Sequence, residues 1–262
     1  MIAASGDPPP QLYRLHDPPS TIWWRGGLPS RLGVAVVGTR RCTSYGWRVS
    51  QMIGRTIASA GWPVISGLAR GIDAAAHHAT LDADGMGFAV LGSGIDVVYP
   101  AGNRQLAERL VATGGGIISE YPPGTPPAPF RFPARNRIIA ALSAAVVVVE
   151  AAVTGGALIT ARIALELGID VLAVPGDIDR ETSAGTNLLI RDGAHPILGE
   201  IDLMQTLEVI LGRAPNEPAL RPSMAGPVDY HETLRKSSRP VGETLAEAVK
   251  SQIEGSRRPT GH

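Results

Sequence analysis

From Phe130 to Arg137 the chain reads F-R-F-P-A-R-N-R, so two aromatic rings and three guanidinium groups fall within eight consecutive residues. Arginine presents a planar fork of donors that matches phosphate oxygens, and an aromatic face is a platform for another ring. Pro133 biases Phe132 toward extended backbone and suits the start of a helix. Ile138, Ile139 and Leu142 then recur at helical spacing. The expected form is an extended aromatic arm over 130–132, entering a helix whose first turn carries Arg135, Asn136 and Arg137. Cations at a helix start oppose the macrodipole by ~0.3–1 kcal/mol each, a conflict that a bound anion removes. A solvated first turn with an ordinary aromatic anchor is the alternative reading of this stretch.

A chain of 262 residues can bury a sizeable core. Its formal net charge is zero, so no global field draws in nucleic acid and any anion site must be built locally. The basic residues are nearly all arginine, with lysine only at Lys236 and Lys250. One cysteine, Cys42, excludes an internal disulfide or a cysteine-rich metal site. The first residues lack the basic and apolar regions of a secretory signal, and no apolar run is long enough to span a membrane. A cytoplasmic location is expected.

The elements that must position the arginines follow in order. Residues 1–31, rich in Pro and Gly, read as an irregular strap in which Tyr13, Trp23 and Trp24 pack on the core. Strands are expected at 32–37, 63–66, 87–91, 116–119, 145–150 and 171–174, apolar runs suited to burial on both faces. Helices are expected from a Ser44 cap to Ala60, over 73–83 and 104–113, after Pro133, and to Leu167. A short helix with Asn187, a short strand near 194–197 and a closing helix complete a core over 32–212. Residues 213–262 are Pro-rich and polar, with a short helix near 243–253, and read as a mostly disordered tail. No internal repeat is evident.

Repeated strand, helix, strand units define an α/β, Rossmann-like doubly wound, mostly parallel sheet with helices on both faces. Parallel strands end on one edge, so the loops 38–41, 66–71, 92–94, 154–157 and 175–177 must share it. Ligands bind at that edge where strand order reverses. Small residues there expose N–H groups at helix starts, and Arg40, Arg41 and Arg70 add charge.

Most catalytic motifs are excluded. G-S-G at 92–94 lacks the third glycine of a dinucleotide fingerprint, and no P-loop occurs. Ser93 is not in a nucleophile elbow. His77 and His78 are adjacent, cannot share a helical face as a metal pair, and read as packing residues. Cys42 has no recognisable base. Asp73 reads as a helix cap, and no carboxylate pair has catalytic spacing. No catalytic residue, metal site or cofactor is expected.

The blocks V-V-G-T-R-R, S-G-L-A-R-G-I-D-A-A-A-H, V-L-G-S-G-I-D-x-x-Y-P, F-P-A-R-N-R-I-I-A-A-L-S, V-V-V-V-E-A, G-A-L-I-T-A-R, A-V-P-G and G-T-N-L-L-I occur in order over about 15–205. Together they resemble the DNA-processing protein A family, also called DprA or Smf. The resemblance implies a Rossmann-like homodimer that binds single-stranded DNA, protects it and loads the RecA recombinase during natural transformation, without known catalysis. It implies that Gly38, Thr39, Arg40 and Arg41 meet the DNA backbone. Ser66, Gly67, Arg70 and Gly71, with Gly155, Gly156, Ala157 and Thr160, would line the phosphate pocket. Phe132 would stack a base beside Arg135, Asn136 and Arg137, with Asn187 also at the site. The family's flanking helical and winged-helix domains have no counterpart legible here. The competing reading is a nucleotide phosphoribohydrolase of the lysine-decarboxylase-like group, whose turn resembles P-G-G-x-G-T-x-x-E. Here Thr154, Leu158, Ile159 and Arg162 replace its Pro, Gly, Thr and Glu.

Overall fold

The structure, a computed structural model, describes residues 3–215. The expected tail therefore lies, beyond residue 215, outside the described residues. Apolar runs at Gly33–Val37 (β3), Val64–Ser66 (β4), Gly87–Val90 (β5), Gly116–Ser119 (β6), Ser143–Val148 (β7) and Asp170–Ala173 (β8) pair in parallel, as their burial on both faces requires. His195–Pro196 (β9) adds a short parallel edge to β8. Residues 1–31 do more than strap the core. Ala4–Gly6 (β1) and Ile22–Gly26 (β2) join the sheet antiparallel, with Trp23 and Trp24 opposite Ser119 and Ile118 of β6. Proline and glycine around these short strands hid them from a reading based on long apolar runs.

The strand order is β1-β2-β6-β5-β4-β3-β7-β8-β9. From β3 the chain winds outward one way through β4, β5 and β6. It then returns to the other side of β3 as β7 and continues through β8 to β9. The order therefore reverses between β3 and β7.

Alternate residues of the central strands feed two apolar layers. Ala35, Val37, Val146 and Val148 pack with Ile138, Ile139, Ala157 and Ala161. These last four belong to Arg131–Ala141 (α4) and Gly156–Glu166 (α5). Val34, Val36 and Val147 pack on the opposite face with Ile53, Ile57, Leu203 and Leu207. Those come from Ser44–Ser59 (α1) and Glu200–Leu211 (α7). Around β5 and β6 a third cluster gathers Leu81 of Ile72–Asp82 (α2) and Leu106 and Leu110 of Arg104–Ala112 (α3). Glu181–Arg191 (α6) closes the α-helical set.

Two local expectations are corrected. Thr43, rather than Ser44, caps α1: its hydroxyl accepts from Gly46 N at 3.1 Å and donates to Glu150 Oε1 at 2.5 Å. The buried Glu150 carboxylate also accepts from Thr43 N at 2.9 Å, which ties the α1 start to the end of β7. Second, Phe130 has helical φ and ψ, so Arg131, Phe132 and Pro133 form the first turn of α4 instead of an extended arm. Pro133 is tolerated there because first-turn N–H groups have no intrahelical acceptor.

Candidate nucleic-acid interface

At the carboxyl edge of the sheet, where the order reverses between β3 and β7, lies a cleft of about 660 Å3. One wall is the 38–41 loop after β3, the other the 151–157 turn into α5, and α4 closes the back with Phe132, Arg135 and Asn136. Beyond Arg40 and Phe132 a smaller lobe of about 270 Å3 opens toward Arg70 and Pro100.

Two glycines let these loops meet. Gly71, with φ +75°, precedes α2, and a Cβ there would stand 2.4 Å from Thr39 O. A left-handed backbone and this approach both call for glycine. The contact locks the 67–71 loop against the 38–41 loop, and Ile72 N donates to Thr39 O at 3.3 Å. At Gly67 a Cβ would fall 2.5 Å from an Arg135 guanidinium nitrogen, so side-chain growth there displaces Arg135.

Arg135 forms the floor. It is only 4 % exposed and donates to Gly67 O at 2.8 Å and to Val90 O, joining the ends of β4 and β5. Burial pulls its guanidinium down to about 10, still charged at neutral pH, while Asp73 pulls the other way. Asp73 is buried too and accepts from Gly67 N at 3.1 Å and Ala69 N at 3.3 Å. Burial raises its carboxyl above the ordinary range, against the pull of Arg135 and these N–H donors. The sequence reads Asp73 as a helix cap, but the cap position of α2 is Gly71 with no side-chain bond, and Asp73 lies within the first turn and braces the 67–69 loop instead. One consequence was not legible: it occupies N–H groups that the 66–71 loop would otherwise offer to an anion.

The start of α5 differs. No side chain caps it and its first turn holds no acid, so its N–H groups and the positive end of the helix dipole face the cleft. Asn136 fixes that start relative to α4, donating to Gly156 O at 3.2 Å. Phe132 is half-buried, its ring against Gly92. The Arg40 guanidinium carbon stands 4.8 Å from its centroid, and Tyr99 lies tilted at 5.5 Å.

The sheet edge thus brings together Gly38, Thr39, Arg40, Arg41, Phe132, Arg135, Asn136, Gly155, Gly156, Ala157 and Thr160 in the large lobe. Gly67 and Arg70 line the small one. Four expected residues line neither lobe. Ser66 is buried and donates to Val36 O at 2.6 Å, and Gly71 supplies the loop contact above. Arg137 pairs with Glu120 at 2.5 Å, while Asn187 bonds both backbone groups of Gly176. Sequence reading gave no role to Tyr99, which is 45 % exposed and borders both lobes. Its signal was an aromatic residue in a strand-end segment of a chain with few aromatics. Burial and Glu150 push the Cys42 thiol above its ordinary value, which disfavours the thiolate.

A doubly wound sheet, a cleft at its switch point, an uncapped helix start, arginines and one aromatic face define a Rossmann-like protein built to hold a phosphate-bearing ligand. The comparisons narrow that class. The chain belongs to the DNA recombination-mediator protein A family, whose model matches residues 1–208. It is 41 % identical over 212 residues to Protein Smf of Escherichia coli, covering 80 % of this chain and 57 % of that protein. DNA processing protein A of Streptococcus pneumoniae superposes with TM-score 0.72 at 37 % identity, over 77 % of this chain and 73 % of that one. The Helicobacter pylori protein, described for its single-stranded DNA binding mode, gives TM-score 0.72 at 28 % identity, over 78 % and 95 %. The chain spans little more than half the length of several curated relatives it matches.

Proposed function

We propose that the chain binds single-stranded DNA in this cleft as a recombination mediator without catalysis of its own. In this reading it protects the strand and passes it to a RecA-type recombinase during DNA uptake, as a homodimer in the cytoplasm. The observation that carries the binding step is that the Phe132 ring, with Arg40 over its face, lines one cleft with the uncapped start of α5. Base faces stack on aromatic rings whatever the base, while backbone phosphates take the arginines and helix N–H groups. A base inside a duplex cannot present its face to a ring at the bottom of a cleft. The Helicobacter pylori relative supports the reading from outside the chain. The phosphoribohydrolase alternative gains nothing from the geometry. Its glutamate position is Arg162, exposed on α5, and among the described residues the carboxylate lining the cleft is the buried Asp73, already engaged by the Gly67 and Ala69 N–H groups.

The test is anisotropy with a labelled oligothymidylate and a duplex of equal length at moderate salt. Clear preference for the single strand is expected. Arg40→Ala should flatten the plot of log affinity against log salt by ~0.7, one single-strand phosphate contact. Arg109→Ala, which breaks a surface pair with Asp82 on a remote helix, should leave it unchanged. Equal affinity for both forms, or equal effects of the two variants, would overturn the proposal.

A further inference from the structure

We propose that Phe130, held by Arg131 outside the cleft, is a second base platform for the same strand. This rests on the single-strand reading and extends it: beyond the base on Phe132, a further base stacks on Phe130. The two rings stand two residues apart at the entry to α4, and residues so spaced on a helix do not face each other. Phe132 accordingly lines the cleft, whereas Phe130 does not and is 70 % exposed. Pro127, Ala128 and Pro129, which immediately precede Phe130 in the chain, line the cleft as well. A strand that leaves the cleft past these three residues arrives at the Phe130 ring.

The ring is ordered although it is exposed. The Arg131 guanidinium carbon lies 5.2 Å from the Phe130 centroid and 5.2 Å from that of Tyr121, so one cation holds both rings. Arg131 also donates to Pro126 O through its side chain and to Ala128 O at 3.0 Å through its backbone N–H. The loop before it is braced in turn: Gly94 N donates to Thr125 O at 2.8 Å, and Gly124 N to Asp96 Oδ1 at 2.7 Å. Five prolines between 122 and 129 stiffen the same loop. A platform ordered in advance loses little entropy when a ligand settles on it. Its charge decides what that ligand is. Among the described residues Arg131 forms no ion pair, whereas Arg137 on the same helix pairs with Glu120. A base with its phosphate matches an apolar face backed by an uncompensated cation. An apolar protein surface does not, because docking there would desolvate the guanidinium without a partner.

The test is anisotropy with a length series of labelled oligothymidylates, on the wild-type chain, Phe130→Ala, Phe130→Trp and Phe132→Ala. Phe130 is exposed, so its variants should keep the melting temperature. Phe132→Ala should weaken binding at every length. Phe130→Ala should leave the shortest strands that bind unaffected and weaken the longer ones about tenfold, the scale of one stacked base. Its salt slope should match the wild type, since stacking releases no counterion. Phe130→Trp should bind long strands at least as tightly as the wild type. If Phe130→Ala binds long strands like the wild type, as it would were the ring to serve a protein partner, the inference is overturned while the cleft reading stands. A loss equal at all lengths, or one with a flatter salt slope, overturns it too, the first by making Phe130 a support of the cleft and the second by making the contact one of charge. If the wild type binds no strand of any length, the underlying reading fails with it.

Discussion

At the scale of single residues, the Arg40–Phe132 contact sets the behaviour of the cleft. An exposed cation–π pair contributes about 0.5–1 kcal/mol, and a base stacked on an aromatic ring contributes about 1–3 kcal/mol. On the proposed reading, a base stacking on Phe132 would displace the guanidinium from the ring and free it for the adjacent phosphate. Phe132→Ala should weaken single-strand binding by ~1–3 kcal/mol with little change in salt slope, and Phe132→Trp should recover most of the loss. A fall in melting temperature with affinity intact would instead make Phe132 an ordinary packing residue. Arg40 and Phe132 were legible as types because a guanidinium and a ring so close to glycine-rich turns have few other uses. The inward turn of Arg135 was not legible. Its carbonyl partners, Gly67 and Val90, are 68 and 45 residues away, and no spacing along the chain announces them.

At the scale of elements, burial on both faces made β3 through β8 readable, since a five- or six-residue apolar run has little else to become. β2 was missed because its sheet partner is β6, far later in the chain, and β1, which pairs only with β2, was missed with it. The helix α2 shows what packing adds beyond periodicity. Its His77 is fully buried, and neither ring nitrogen has a partner among the described residues. Burial lowers its pKa from 6.5 to about 3, with the charge of His78 acting in the same direction. The sign follows from linkage: below pH 6.5 the unfolded chain takes up a proton that the folded chain refuses until about pH 3. This contribution to stability is complete above pH 6.5 and declines by about 1.4 kcal/mol per pH unit below it. Asp73 and Glu120, whose carboxyls burial raises, act in the opposite sense, so the histidine must be isolated by difference. Denaturant titrations of wild type and His77→Leu should agree in trend above pH 6.5 and diverge steadily in favour of the leucine variant below it. A pH-independent difference would mean that the folded state protonates His77 as readily as the unfolded chain does.

At the scale of the whole molecule, the cleft depends on where the strand order reverses. Only there do loops from both halves of the sheet stand apart enough for a cleft, with α4 lying across the gap and α5 starting on its far side. The 175–177 turn after the outer strand β8 shares the same edge but, like Asn187, lines neither lobe, and Pro175 O instead accepts from Tyr45 of α1. All residues of both lobes fall between Val37 and Thr160, inside the compact unit Met1–Glu217. Both lysines, by contrast, fall after Glu217, at Lys236 and Lys250. If the cleft accounts for binding, a chain ending at Glu217 should fold cooperatively, bind a short oligothymidylate as tightly as the full chain and show the same salt slope. The slope decides the matter, because two lysines on phosphates would add about 1.4 to it for a single strand, twice the contribution of one contact. A shortened chain that loses more than about tenfold in affinity, together with that share of the slope, would place a second DNA contact in residues 218–262. Loss of affinity with the slope unchanged would point instead to those residues supporting the cleft without touching the strand.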